Sequence, residues 1–339
     1  MIGLRVRTWL WWGLGAFWIL DGLLSLQRDM ALSQLYIVTM SAWGEPRWYV
    51  HLINDSLITY VYNHHLAAAL DLAVFGIQVA LGLLFWVGRE RRLGRIALYA
   101  SLGWAVLVWL LAEWMGALFA GMSFFVGGPG SVLLYAAGAV GLLIGRGRFR
   151  SPRFLAGLGR VLGAAWAAGT LLQALPFWWR APNLSEAVRA NLVLTPVSVR
   201  TVPIGAFVAW SARDPVGANL VLVLAMACIS ALLLWRPERR SGYAALILWA
   251  IIVWWMGENF GGLLGGVGTD PNTGALWILF GLAMLSASGR RTPAGSPEAH
   301  GRRHRSKPRP RDGPQPRNFP PSATFRPPIQ VSATSEVPY

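Results

Sequence analysis

Apolar runs of about eighteen residues or more recur from the start of this chain almost to its end, and they leave few folds open. As a helix, such a run crosses a hydrocarbon core of about 30 Å with its backbone hydrogen bonds satisfied internally. The runs fall at about 8–26, 66–87, 94–118, 131–145, 161–178, 217–235, 242–263 and 275–288. The fourth and eighth are short, which calls for little tilt or a locally thinned bilayer. No ten-residue alternation of the membrane β-barrel kind is present. The expected fold is an all-α membrane protein with eight transmembrane helices. The first run has a basic start but no small-residue cleavage site after it, so it reads as an uncleaved span.

Orientation follows from the cations. The segments 1–7, 88–95, 146–160, 236–241 and the C-terminal tail carry 24 of the 30 Lys and Arg. The opposite loops hold only Arg28, Arg47, Arg180, Arg189, Arg200 and Arg213. Both termini are therefore expected on the cytoplasmic side. The net charge of +15 follows membrane topology and does not call for a nucleic-acid partner. Lys307 is the single lysine, and arginine with abundant Ala and Gly suggests a GC-rich bacterial genome, which places the protein in a bacterial cytoplasmic membrane.

Two outer segments, about 27–65 and 179–216, mix aromatic, apolar and charged residues and read as amphipathic pieces at the outer face. From residue 289 the chain is rich in Pro and Arg and poor in apolar residues, a composition that cannot offset its ordering entropy. That 289–339 tail reads as disordered and as attracted to anionic lipid, at roughly 1 kcal/mol per basic residue near the surface.

The spans repeat. "LGAFWILDGLLSL" (14–26) lies over "LGAAWAAGTLLQA" (162–174), with Trp18 on Trp166, and "ERR" at 90–92 lies over 238–240. Trp104, Trp109, Glu113, Gly116 and Gly121 then match Trp249, Trp254, Glu258, Gly261 and Gly266, and Pro129 falls on Pro271. Residues 1–148 and 149–288 thus read as two four-span units. An even number of spans gives both the same orientation, so the expected arrangement is two parallel four-helix repeats about an axis along the membrane normal.

The carboxylates inside apolar sequence carry the functional reading. Glu113 follows Arg95 by 18 residues, and Glu258 follows Arg240 by 18. At about 1.5 Å per residue each lies roughly 27 Å from its arginine, near the outer boundary. Asp71 and Asp21 fall in the same half, and Asn219 aligns with Asp71. Asp21, Asp71, Glu113, Asn219 and Glu258 are the candidate polar binding site. Gly116, Gly121, Gly261, Gly262, Gly265 and Gly266 follow the glutamates and permit either close helix packing or a broken helix turning back into the protein. Ordinary helix packing with the glutamates as helix-end anchors is the competing reading.

His51, His64 and His65, with Asp55, are candidate ligands for a divalent metal, although their spacing matches no tight ligand motif. Cys228 is the one cysteine, which excludes an internal disulfide and a cysteine-based metal cluster. No phosphate loop, dinucleotide fingerprint, HExxH or nucleophile elbow occurs, so no catalytic residue and no cofactor is assigned.

The first-helix pattern "LGAFWILDGLL", a long outer segment and Arg-rich inner loops resemble the DoxX-like membrane proteins of bacteria. The pattern "EWMGALFAG…GGPGSVLLY" is similar to uncharacterised bacterial integral membrane proteins. The resemblance covers 8–288 as two copies. It implies a possible redox partner, because some DoxX-like proteins serve quinone-linked oxidoreduction, although no catalytic motif here carries that activity over. Three functions follow as expectations: small-solute or ion handling at an outward acidic site between the repeats, a membrane subunit of a quinone-linked complex, or a scaffold without chemistry.

Overall fold

The structure is a computed structural model describing residues 2–27, 30–42, 44–89, 91–192, 198–266 and 268–288. The tail expected to be disordered, 289–339, lies outside the described residues. Among those described there is no strand.

Chain order begins with α1 (Ile2–Leu24) and α2 (Met30–Met40). A continuous rod follows: α3 (Arg47–Val50), a π-helical stretch His51–Ile58, and α4 (Thr59–Asn63). Next come α5 (Ala67–Gly88), α6 (Arg92–Leu111), the four-residue turn α7 (Trp114–Ala117) and α8 (Ser131–Leu143). The rest of the helical chain is α9 (Pro152–Gln173), α10 (Asn183–Ala190), α11 (Val202–Arg213), α12 (Pro215–Trp235), α13 (Arg240–Ile252), and α14 (Asn272–Leu285).

Five helices are long and apolar enough to cross a membrane: α5, α6, α9, α12, and α13 with its π-helical continuation to Gly257. Two more, α8 and α14, are apolar but only 13 and 14 residues long. At about 1.5 Å per residue they reach roughly 20 Å. They are also the most enclosed helices. In α14, ten residues from Thr273 to Met284 are buried, whereas long helices such as α5 expose Leu72, Ile77, Leu83 and Val87. A short helix is tolerable there because protein, not lipid, surrounds the irregular backbone that completes its path.

Packing fixes which helices meet. α1 lies along α5 and α9 along α12; α6 packs on α8 and α13 on α14. α1 also touches both α8 and α14, so the two short helices and α1 form the centre. Trp11, Leu14 and Trp18 of α1 are buried there with Tyr135, Ala139, Leu276 and Trp277.

Both central helices have a glutamate at one end and an arginine at the other. Glu113 accepts from the backbone N–H groups of Ser131 and Val132 at the start of α8, and Arg7 donates to the carbonyls of Leu142 and Ile144 at its end. Glu258 accepts from Gly274 N–H in α14, and Arg240 donates to the carbonyl of Ser288 just past it. A carboxyl acceptor at the N-terminus and an arginine donor at the C-terminus satisfy orphan backbone groups at the two ends.

Candidate functional site

α6 ends at Leu111, so Glu113 lies past the regular helix and not within the run 94–118. The chain then makes a turn of the opposite hand: Trp114, Met115, Gly116 and Ala117 have φ of 50°, 51°, 67° and 60°. The second copy of the motif does the same after Glu258, with Asn259, Phe260, Gly261 and Gly262 at 47°, 56°, 65° and 70°. Left-handed backbone costs roughly 1–2 kcal/mol per non-glycine residue, so surrounding contacts must hold each turn. Glycine is required at its third position for a second reason. A Cβ on Gly116 would lie 2.1 Å from the carbonyl oxygen of Pro129, and one on Gly261 would lie 2.6 Å from that of Asp270. Of the remaining candidate glycines, Gly121 and Gly266 also have positive φ, at 105° and 76°, and Gly265 ends the segment Asn259–Gly265.

Each turn has a cover. Trp114 donates its indole N–H to the carbonyl of Val38 at 2.8 Å, and the Tyr49 hydroxyl donates to the carbonyl of Leu110. Val38, Ala42, Tyr49, Ile53 and Trp114 form a small apolar core of their own. Over the second turn, Asn191 donates to the carbonyl of Gly257 at 2.6 Å and accepts from the Asn259 amide at 3.0 Å. The two amphipathic segments expected from sequence therefore sit over the two glutamate turns.

Reversing the chain brings each glutamate to a helix start. Glu113 Oε1 accepts three hydrogen bonds: from Ser131 N–H (3.0 Å), Ser131 Oγ (2.6 Å) and Val132 N–H (3.3 Å). Its Oε2 is buried and has no hydrogen-bond partner. Gly130, with φ of 97°, gives that oxygen room, since a Cβ there would lie 2.2 Å from it. Glu258 is more completely occupied: Oε1 accepts from the Thr273 hydroxyl, and Oε2 from Gly274 N–H at 2.9 Å.

Two aspartates join the first glutamate. Asp21 of α1, 1 % exposed, accepts from the Tyr135 hydroxyl at 2.6 Å through Oδ2, while Oδ1 has no partner. Trp18 stacks on Tyr135 with ring centroids 4.1 Å apart and donates to Ser101 Oγ at 2.9 Å, which fixes the phenol. Asp270, just before α14, accepts from Asn272 N–H at 2.5 Å and from the Thr269 hydroxyl at 3.1 Å. The Ser131 hydroxyl favours its charged form, and Asp270 acts electrostatically on Asp21, Glu113 and Glu258. Burial pushes the Asp270 carboxyl above the usual carboxylate range. The charges that act on Asp21 and Glu113 belong to other carboxylates, and the His51–Asp55 contact and the Arg189–Glu186 ion pair lie elsewhere.

The structure thus divides the sequence candidates. Asp21 and Glu113 are linked electrostatically to each other and to Asp270, which also acts on Glu258 at the neighbouring helix start. Asp71 is buried on α5, where no other carboxylate acts on it. Asn219 belongs to a separate amide cluster: Gln173 donates to its Oδ1 at 2.7 Å, Asn219 donates back to the carbonyl of Gln173, and Ser123 donates to Gln173 Oε1 at 2.5 Å.

Asp270, Ser131, Tyr135 and Thr273 were not among the sequence candidates. A signal for two of them existed, because Ser131 and Thr273 place a hydroxyl at the same aligned position after each proline, the signature of a capped helix start. Of the histidines, His51 pairs with Asp55 in an exposed i, i+4 contact and His64 bonds to the carbonyl of Tyr60. Among the described residues no three His, Cys, Asp or Glu side chains are grouped to hold a metal ion.

No protein-family model matches the chain, and neither the curated proteins nor the solved structures provide a match.

Proposed function

We propose that this chain is an eight-span protein of a bacterial cytoplasmic membrane that handles a small ion or solute at an outward-facing acidic site. In this reading α1, α8 and α14 complete the spans, the termini are cytoplasmic, and residues 1–148 and 149–288 are parallel copies of one four-helix unit. Duplication is supported by the matching helix pairings, the two left-handed turns after glutamate, and the two hydroxyl-bearing helix starts that those glutamates cap.

One observation carries the functional part: Asp21 Oδ1 and Glu113 Oε2 are buried without a hydrogen-bond partner, and Asp21 lies in the electrostatic field of both Glu113 and Asp270. Neighbouring carboxylates in a poorly solvated site cannot all be ionised unless a cation balances them. The cluster therefore holds protons or a small cation, and a membrane protein that releases and rebinds such a charge can couple it to movement across the bilayer. Asp21 is the most buried of the three, and Glu113 and Asp270 are partly buried. A quinone-linked role finds less support, because the stacked Trp18 and Tyr135 fill the space beside Asp21 that a quinone ring would need.

The test is ion flux into proteoliposomes carrying an internal pH dye, under an imposed proton or sodium gradient. Wild type should exceed empty liposomes, and Asp21→Asn should lose at least about tenfold of that flux. Wild-type flux equal to that of empty liposomes under both gradients would refute the proposal.

A further inference from the structure

Resting on the acidic site proposed above, we infer that the duplicated motif holds one exchangeable proton, shared among Asp21, Glu113, Asp270 and the Ser131 hydroxyl, and that Glu258 is a helix cap and not a second site.

Oxygen accounting separates the two glutamates. Both carboxylate oxygens of Glu258 are taken by groups of its own helix start, the Thr273 hydroxyl and the Gly274 N–H. Glu113 meets the equivalent donors with Oε1 alone, which leaves Oε2 free of hydrogen bonds. At aligned positions one glutamate is fully used by capping and the other keeps an oxygen for a ligand.

The residues around them differ in the same sense. In the alignment Asp21 falls on Gly169 and Asp270 on Gly128, so these two acids occur once each and both belong to the Glu113 side. Where the second copy would carry a side chain at 169, the space is taken: a Cβ on Gly169 would lie 2.6 Å from the ring of Phe124. Phe124 packs against Trp166 and Trp277, which align with Trp18 and Tyr135. Tyr135 presents a hydroxyl to Asp21, whereas Trp277 has no oxygen to offer. The counterpart of the site is an aromatic plug.

Ser131 acts on both Glu113 and Asp270. Its hydroxyl donates its one hydrogen to Glu113 Oε1 at 2.6 Å, and it also influences the Asp270 carboxyl. The titratable groups facing this position are Tyr135 from α8, Asp270 and Glu258 from the segments around α14, and Asp21 from α1; Asp71 of α5 stands apart.

The test is infrared difference spectroscopy of the protein in lipid nanodiscs between acidic and alkaline pH, which reads protonated carboxyl groups without requiring transport. Wild type should show a buried carboxyl band that disappears as pH rises. Glu113→Gln and Asp270→Asn should each remove or strongly shift it, and Ser131→Ala should move its midpoint. Glu258→Gln should retain the full band with a lowered melting temperature. If Glu113→Gln fails to fold, Asp21→Asn, which keeps an oxygen acceptor for Tyr135, supplies the same comparison. Equal loss in Glu113→Gln and Glu258→Gln, or no change in any of the site variants, would overturn the inference. A titrating band without flux would refute the transport reading alone, and flux without such a band would refute the shared proton alone.

Discussion

At the residue scale, the third position of each left-handed turn is where sequence and backbone are most tightly bound. Gly116 combines φ of 67° with a carbonyl oxygen where its Cβ would have to go. Gly116→Ala should destabilise the fold by about 1–3 kcal/mol, read as a lowered melting temperature in detergent, and Gly261→Ala should do likewise. Gly103, whose added Cβ meets nothing within 4 Å, is the control and should tolerate alanine. Asp270 adds a pH dependence with a definite sign. Burial raises its folded-state value, so the fold binds its proton more tightly than the unfolded chain does. The stability it contributes is complete below the ordinary aspartate value of about 3.9 and is lost as pH rises through the higher folded value. Asp270→Asn should flatten the fall of melting temperature over that interval, and an unchanged pH profile would contradict the assignment.

At the scale of elements, α8 and α14 explain what sequence could and could not reveal. Both were legible as short apolar runs, because lipid and protein interior alike demand continuous apolar sequence. Their glutamate caps were only half legible. Glu113 and Glu258 stood out against apolar neighbours, but the hydrogen bonds that use them depend on left-handed turns, and hydrophobic periodicity carries no record of a turn's hand. Asp270 was hidden for a related reason. It lies in a connecting segment where an acid is unremarkable by composition, and only the folded path of that segment brings it within electrostatic reach of Glu113. The same helices give an element-level prediction. Arg7 caps the C-terminal carbonyls of α8 from 135 residues away in sequence. Arg7→Ala should cost about 1–2 kcal/mol, and a nearby Arg5→Ala, which makes no such contact among the described residues, should cost less than about 0.5 kcal/mol. Equal melting temperatures for the two variants would remove the capping role.

At the scale of the whole molecule, the arginine distribution predicts a topology that the sole cysteine makes easy to check. In a Cys228→Ala background, Ser56→Cys should react with a membrane-impermeant maleimide on intact cells. Arg146→Cys should react only after lysis. The reverse pattern would invert the protein and turn the acidic site toward the cytoplasm. On the proposed function, two glutamates at aligned positions do different things, one capping a helix and the other also holding an ion. The most direct measurement is the flux of Glu113→Gln against that of Glu258→Gln, reconstituted at equal amounts of folded protein. The expected result is at least about a tenfold loss in Glu113→Gln with flux within about twofold of wild type in Glu258→Gln. Equal losses, or wild-type flux in Glu113→Gln, would contradict it.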